Sequence, residues 1–281
     1  MKILHIYTGG GEVYGVERVI SNLAIEQIKR GFDTKVVYFK RSGNNSFLES
    51  LNEHRIPVSV IPSTGILDIG AFMALRRICL DSHPQILHSH GYKGYIFSAL
   101  LKRIANSFII VSTKHISTDS SVRIRIYDYL GDASLKFFDS IITVSDFTKE
   151  RLVERHILAD KIEVIHNGVD IPINFGKAGG RLRSELKLGT DSKLIGFIGR
   201  LTPQKGISYL LEAARIVSMG TKDVYFVLIG DGDLREETES FISSNNLEDR
   251  VLMLGWRKDA TELLRDIDIL LLPSLFEGTP M

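Results

Sequence analysis

Short apolar runs alternate along this chain with longer amphipathic stretches. The runs are rich in β-branched residues and predict strands at 2–7, 34–39, 58–61, 85–88, 108–113, 140–144, 162–166, 194–198, 224–229, 250–254 and 267–272. Several runs are apolar at every position, as in 224–229, which is typical of strands that are buried on both faces of a parallel sheet.

Helices are predicted between these strands. In 15–30, apolar residues recur every three or four positions, and Gly31 suits the end of the helix. Similar patterns occur at 93–105, 122–138, 146–157, 205–219 and 258–266. Strands that alternate with helices require crossover connections, so we expect an α/β fold with Rossmann-like units.

The alternation pauses once, between about 170 and 192, where several glycines follow a segment without either period. A domain boundary there gives domains of 1–172 and 173–281. We expect two Rossmann-like domains that face a cleft lined by the carboxyl ends of their strands. The second domain stops directly after its fourth strand, so we expect it to be incomplete and the chain to be a fragment or a truncated gene product.

Composition narrows the class of protein. The 281 residues are 44% hydrophobic and 25% charged, as in ordinary globular proteins. The 35 basic and 34 acidic residues nearly cancel, which argues against a nucleic-acid partner. A single cysteine, Cys79, fits a reducing compartment. The amino terminus resembles no signal sequence, and no run of about 18 apolar residues occurs, so a cytoplasmic protein is expected.

A glycine-rich turn at 8–18 enters the first predicted helix. Such a turn can bind an anion, because free backbone N–H groups and the helix dipole point at the ligand. Tyr14 occupies the position of the third glycine in the dinucleotide-binding spacing, which disfavours a dinucleotide. Lys40 and Arg41 nevertheless leave NADP open, since a basic pair could meet its extra phosphate. A surface loop without function is the alternative.

A second candidate anion site follows the strand at 194–198. Arg200 and Lys205 lie on one loop just before a predicted helix. Two cations beside a helix N-terminus form a clamp for a diphosphate. A solvated basic loop is the alternative, but we favour the clamp because both cations follow the carboxyl end of a buried strand, where ligands of open α/β sheets bind.

His115 and Glu277 are each expected at the carboxyl edge of a parallel sheet. His115 follows the strand at 108–113, where an exposed imidazole can hydrogen-bond a substrate and help to stabilise developing charge. A lone histidine is more often structural. Glu277 follows the strand at 267–272 and is succeeded by Gly-Thr-Pro, which presents a carboxylate and backbone N–H groups.

Other polar patterns favour simpler interpretations. Asp231 and Asp233 match the D-x-D spacing of some cation-dependent sugar-nucleotide enzymes, but a turn and a helix N-cap fit their place after a strand. His88 and His90 share one face of a strand without a third ligand nearby in sequence, so no metal is expected there. Arg103, Arg123 and Arg125 are expected to form a solvated basic helix face. Contact of this face with acidic lipid is the alternative.

Taken together, these segments resemble the GT-B glycosyltransferases of family 4, and the resemblance runs through the whole chain in order. The matching segments are 15–19 (GVERV), 88–93 (HSHGYK), 112–115 (STKH), 144–148 (VSDFT), 164–170 (VIHNGVD), 199–206 (GRLTPQKG), 230–232 (GDG) and 273–280 (PSLFEGTP).

The resemblance implies a retaining enzyme that moves a hexose from a UDP- or GDP-sugar to a glycan or glycolipid acceptor, without a metal or cofactor. It implies that Arg200, Lys205 and the backbone N–H of Gly15 hold the donor diphosphate. His115 is implied near the reacting centre, and Glu277 on the sugar hydroxyls. Backbone groups implied to cradle the donor sugar belong to Gly278, Thr279 and Met281.

Two departures from the family pattern qualify these expectations. Tyr14 replaces the usual glycine before Gly15. The second glutamate of the family's E-x7-E pair would fall eight residues after Glu277, beyond Met281. The alternatives are therefore an inactive binding module, a sugar-nucleotide epimerase of the same architecture and, more distantly, an NADP oxidoreductase. Apolar surface beside the strand at 267–272 is expected to be exposed, and peripheral contact with the inner face of the membrane stays open.

Overall fold

The structure is a computed structural model that describes residues 1–9, 15–40, 46–65, 68–105, 107–115, 122–168, 180–275 and 277, with only the backbone at 122–124. These residues form two compact units, one up to residue 168 and one from 180 to Glu277. The boundary expected at 172 and 173 lies outside the described residues.

The first unit is built on a seven-stranded parallel sheet. Its strands are β1 (Lys2–Gly9), β2 (Asp33–Lys40), β3 (Val58–Pro62), β4 (Ile86–His90), β5 (Ile109–Lys114), β6 (Ser140–Thr143) and β7 (Ile162–Val164). The order across the sheet is β3-β2-β1-β4-β5-β6-β7, so β1 and β4 are neighbours at its centre. All seven strands were predicted, with ends shifted by one or two residues.

In the described part of the first unit, six α-helices connect these strands: α1 (Gly15–Lys29), α2 (Ser46–Glu53), α3 (Ile69–Ser82), α4 (Tyr92–Ile104), α5 (Val122–Ser134) and α6 (Asp146–Glu154). The sequence patterns missed α2 and α3. α2 has only eight residues. α3 exposes Ile69, Met73 and Leu80, which blurs the one-sided apolar pattern of a surface helix. Its amino end is nevertheless capped by Asp68, whose carboxylate accepts the N–H of Ala71 at 2.9 Å.

The second unit has a four-stranded parallel sheet. Its strands are β8 (Lys193–Ile198), β9 (Val224–Ile229), β10 (Val251–Gly255) and β11 (Ile269–Leu270), in the order β10-β9-β8-β11. β11 is shorter than the predicted 267–272 and lies at the edge of the sheet. As expected, apolar side chains are exposed along this edge; they belong to Ile269, Leu270, Leu272 and Leu275.

The helices of the second unit are α7 (Arg181–Glu185), α8 (Ile207–Gly220), α9 (Arg235–Ser244) and α10 (Ala260–Leu263). α7 was not predicted, because its amino-terminal N–H groups are held by a distant side chain. The buried carboxylate of Asp266 accepts the N–H of Gly180 and of Leu182, each at 2.7 Å. Among the described helices of the chain, none is long and apolar enough to cross a bilayer.

Two glycines allow the loops at the carboxyl edge of the second sheet to touch. Gly206 has φ of 66°, and a Cβ there would lie 2.0 Å from the carbonyl oxygen of Pro273. Gly230 has φ of 142°, and its Cβ would lie 1.8 Å from the carbonyl oxygen of Gly199. The loops after β8, β9 and β11 therefore pack backbone against backbone, which only glycine permits at these two positions.

Gly230→Ala should destabilise the second unit by at least about 1–3 kcal/mol, the cost of a residue held in a strained backbone conformation. Urea unfolding followed by the fluorescence of Trp256 would measure this, because Trp256 directly follows β10. The control is Gly220→Ala, where an added Cβ has nothing within 4 Å. Equal unfolding midpoints for the two variants would contradict the close-packing argument.

Candidate active site

Four histidines lie together on the first sheet, in the region from the middle of β1 and β4 to the carboxyl end of β5. The register of β1 with β4 places His5 beside His88, and His90 follows on the same face. The ring centroids of His88 and His90 are 4.5 Å apart, and those of His5 and His90 are 5.4 Å apart. His115, directly after β5, has its ring centroid 5.8 Å from that of His90.

Hydrogen bonds link these rings to side chains around them. His5 contacts Gln27 of α1 through Nε2, at 2.8 Å from Oε1, and His90 through Nδ1, at 3.1 Å from Nε2. His88 contacts Thr113 of β5, with 2.8 Å between Nε2 and Oγ1. Sequence reasoning missed Gln27 and His5, because only the strand order and the docking of α1 bring them to the other histidines.

The four imidazoles are neutral near pH 7. Burial lowers the pKa of His5 to about 4. Burial, with a smaller contribution from Lys114, lowers the pKa of His115 to about 4 as well. Burial also holds the pKa of His88 and of His90 well below the usual value. His115 was expected to be exposed, but it is partly buried, and it offers a dipole and a hydrogen bond to a ligand rather than a positive charge.

The sequence suggested no third metal ligand beside His88 and His90, and the structure corrects this. One ring nitrogen from each of His5, His88 and His90 lies within 4.8 Å of the other two. The rings of His88 and His90 are nevertheless stacked, with 25° between their planes. Since a metal binds the in-plane lone pair of each imidazole, two stacked rings would have to turn before they could share one ion. That no metal is required stays a prediction.

A buried carboxylate holds the segment that leads to His115. Asp132 of α5 pairs with Lys114 at 2.5 Å and also with Arg155. The hydroxyl of Tyr95 donates to the carbonyl oxygen of Thr113 at 2.7 Å. These contacts join β5, α4, α5 and the end of α6, so the backbone before His115 is fixed by three helices.

The predicted anion site at the start of α1 is described only in part. Gly15 is the first residue of the helix, and a Cβ added there would meet nothing within 4 Å. Residues 10–14, including Tyr14, lie outside the described part. Glu17 in the first turn is buried and accepts a hydrogen bond from the hydroxyl of Tyr7. Burial, together with this carboxylate, raises the pKa of Tyr7. The Tyr7–Glu17 pair therefore fixes the amino end of α1 to β1.

In the second unit the structure brings two predicted site residues into contact. Lys205 ends a 3₁₀ turn, Pro203–Lys205, that follows β8, and its ammonium group lies 2.5 Å from Oε1 of Glu277. Arg200 lies partly buried on the same loop. The remaining residues predicted to bind the donor sugar lie outside the described residues; they are Gly278, Thr279 and Met281.

The D-x-D segment forms a turn, as expected, but it does not cap a helix. Asp231 accepts the N–H of Gly232 at 2.8 Å and pairs with Arg235 of α9 at 2.9 Å. The expected N-cap is therefore wrong: the residue that precedes α9 is Leu234, which makes no side-chain cap.

Of the basic residues expected on a solvated helix face, Arg103 packs its guanidinium 5.3 Å from the ring centroid of Phe137, whose side chain is exposed. Arg125 is exposed. The side chain of Arg123 lies outside the described part.

Family comparisons agree with this architecture. The model of Glycosyltransferase Family 4 matches residues 13–172, and that of Glycosyl transferases group 1 matches 180–281. The first match covers more than half of the chain. The chain belongs to glycosyltransferase family 4.

Two curated relatives extend along much of the sequence. The UDP-Gal:α-D-GlcNAc-diphosphoundecaprenol α-1,3-galactosyltransferase of Escherichia coli is 31% identical over 77% of this chain and 58% of its own length. The GPI3 subunit of the phosphatidylinositol N-acetylglucosaminyltransferase of Saccharomyces cerevisiae is 30% identical over 94% of this chain and 60% of its own length. The chain thus spans about three fifths of the length of these relatives.

Solved structures share the fold. HepE of Anabaena in complex with UDP-glucose has a TM-score of 0.82 and 22% identity, over 99% of this chain and 75% of that one. The lipopolysaccharide outer core galactosyltransferase WaaB has a TM-score of 0.73 and 21% identity, over 100% of this chain and 76% of that one. These similarities identify the fold as GT-B, with its Rossmann-like α/β units.

Lowering the pH should destabilise the first unit. Between pH 6.5 and pH 4 the unfolded chain binds protons at His5 and His115 while the folded chain does not. The free energy of unfolding therefore falls as the pH falls through this window, by up to about 1.4 kcal/mol per pH unit for each such histidine. Chemical denaturation at a series of pH values, followed by circular dichroism, would measure the slope.

The variant His5→Phe should reduce this slope, because one buried neutral imidazole is removed. His54→Gln replaces an exposed histidine of the first unit and is the matched control. A slope that is the same in His5→Phe and in the wild type would contradict the neutral state of His5 in the folded protein.

Proposed function

We propose that this chain is a retaining glycosyltransferase that transfers a hexose from a UDP- or GDP-sugar to a glycan or lipid-linked acceptor. The observation that carries the proposal is the contact of Lys205 with Glu277 at the carboxyl edge of the second sheet, beside Arg200. The proposal includes peripheral contact with a membrane that holds the acceptor.

The loop after β8 suits a diphosphate for electrostatic reasons. Lys205 is largely buried, with 18% of its side chain exposed, and Glu277 neutralises it. A diphosphate can replace this carboxylate as the partner of the ammonium group, and it gives Arg200 a bidentate acceptor. Cations already held at this position stabilise the charge that develops on the departing nucleoside diphosphate, which is the physical source of rate acceleration in such a transfer.

Glu277 then becomes available to the sugar. A carboxylate released from Lys205 accepts hydrogen bonds from sugar hydroxyls, in the role that the family resemblance assigns to it. His115 contributes a neutral imidazole to the same reaction, and it needs no change of charge to donate or accept a hydrogen bond. The transfer with retention of anomeric configuration is inferred from the same resemblance.

Known relatives support a nucleotide-sugar donor. The E. coli relative is named for UDP-Gal and an undecaprenyl-linked acceptor. HepE was solved with UDP and with UDP-glucose. These names concern those proteins, and they make UDP the first nucleotide and a polyprenyl-linked glycan the first acceptor to test here.

Removing either cation should weaken nucleotide binding. Arg200→Ala and Lys205→Ala each lose a charge-assisted contact worth about 1.5–3 kcal/mol, so the Kd for UDP or GDP should rise about tenfold to a hundredfold. Titration calorimetry in the presence of EDTA would measure this. Controls are Arg215→Ala on the exposed face of α8 and Lys222→Ala before β9, which should bind as the wild type does.

The variant Glu277→Gln distinguishes the binding of the diphosphate from the binding of the sugar. It should bind UDP as tightly as the wild type or more tightly, because Lys205 no longer has an ion pair to break. The hexose should add less affinity over UDP alone than it adds in the wild type, because the carboxylate that accepts the sugar hydroxyls is lost. Unchanged nucleotide affinity in both cation variants, or the same ratio of UDP-hexose affinity to UDP affinity in Glu277→Gln as in the wild type, would contradict the proposed site.

A further inference from the structure

The hydrogen bonds among the histidines of the first unit have a direction. The amide oxygen of Gln27 can only accept, and it lies 2.8 Å from Nε2 of His5 and 3.3 Å from the hydroxyl of Thr34. His5 must therefore carry its proton on Nε2. A neutral imidazole has one N–H, so Nδ1 of His5 is bare and accepts from Nε2 of His90, 3.1 Å away.

The chain of hydrogen bonds ends at Nδ1 of His90. That nitrogen is bare by the same counting, and it is buried without a hydrogen-bond partner in the described part of the chain. The ring of His115 is adjacent to the ring of His90, with 5.8 Å between their centroids and a tilt of 30° between their planes. Nε2 of His115 is likewise buried with no hydrogen-bond partner among the described residues. Two unpartnered imidazole nitrogens thus belong to adjacent rings.

We propose that Gln27, His5 and His90 are positioning residues that set the tautomer of His115. A bare ring nitrogen is the negative end of the imidazole dipole, and it favours an adjacent ring that carries an N–H. Nε2 is the ring nitrogen of His115 that is buried without a partner in the described structure, so we assign the proton to it and leave Nδ1 as a bare acceptor. That a substrate hydroxyl donates a hydrogen bond to Nδ1 of His115 rests on the proposed function; the tautomer itself does not depend on it.

The tautomers can be observed directly. In protein labelled with ¹⁵N at histidine only, protonated and bare ring nitrogens resonate in separate spectral regions, and single substitutions assign the eight histidines of the chain. We expect Nε2–H on His5, His90 and His115 in the wild type near neutral pH. Nδ1–H on His90 or on His115 would overturn the proposal, and this test uses the wild-type chain.

Substitution of Gln27 tests whether its amide oxygen sets the tautomers of His90 and His115. Gln27→Leu removes the acceptor that gives the chain its direction, so the signals of His90 and His115 should shift towards a mixture of tautomers. Gln27→Glu keeps an acceptor oxygen and should keep the wild-type tautomers. Thr34→Val removes the neighbouring hydroxyl but leaves the contact of Gln27 with His5, and it is the matched control. Wild-type tautomers in a folded Gln27→Leu variant would contradict the proposal.

A metal on His5, His88 and His90 is the rival explanation of the cluster, and the same samples exclude or establish it. Stoichiometric zinc in the purified protein, with ring signals that change when EDTA removes it, would mean that His5 and His90 bind an ion instead of each other. That result would overturn the hydrogen-bond chain.

Kinetics connect the tautomer to turnover. Gln27→Leu should lower kcat for donor hydrolysis or transfer at least about tenfold, as for other groups that orient a functional imidazole from behind, with little change in the KM for the donor. Gln27→Glu should restore kcat. Failure of every form of the protein to use a sugar nucleotide would refute the proposed function, but it would leave the spectroscopic result and the tautomer assignment intact.

Discussion

Parallel pairing of the strands is the constraint on which the candidate site residues of each unit depend. In a parallel sheet every strand ends at the same edge, so residues that follow different strands meet there regardless of their separation in sequence. Pairing of neighbouring strands acts in the same way within a sheet: His5 of β1 and His90 of β4 are 85 residues apart and form a hydrogen bond. Lys205 and Glu277 are 72 residues apart and form an ion pair. Each contact follows from the order of strands in its own sheet.

The two units differ in the charge of their candidate site residues. Burial keeps the imidazoles of the first unit neutral, since a buried positive charge without an anion is costly. The second unit keeps Lys205 beside the carboxylate of Glu277. A neutral cluster can orient hydrogen bonds without repelling a ligand, whereas a paired cation can exchange its carboxylate for a phosphate. This difference agrees with the roles proposed above for His115 and Lys205.

Much of the fold could be predicted from the sequence, because buried parallel strands leave continuous β-branched runs. What failed depended on tertiary contacts: α3 exposes apolar side chains, and α7 is held by Asp266, which lies far along the chain. Single-residue motifs pointed to Lys205 and His115. The hydrogen-bond chain behind His115 could not be found in this way, because no local pattern says that β1 neighbours β4 or that Gln27 faces His5.

The central claim is that the second unit recognises the diphosphate of its donor through fixed cations. Calorimetric comparison of UDP with uridine, and of GDP with guanosine, tests it most directly when EDTA is present. Two charge-assisted contacts of about 1.5–3 kcal/mol each predict that one nucleoside diphosphate binds at least about a hundredfold more tightly than its nucleoside. Equal affinity of diphosphate and nucleoside, or diphosphate binding that appears only when a divalent cation is added, would contradict the account.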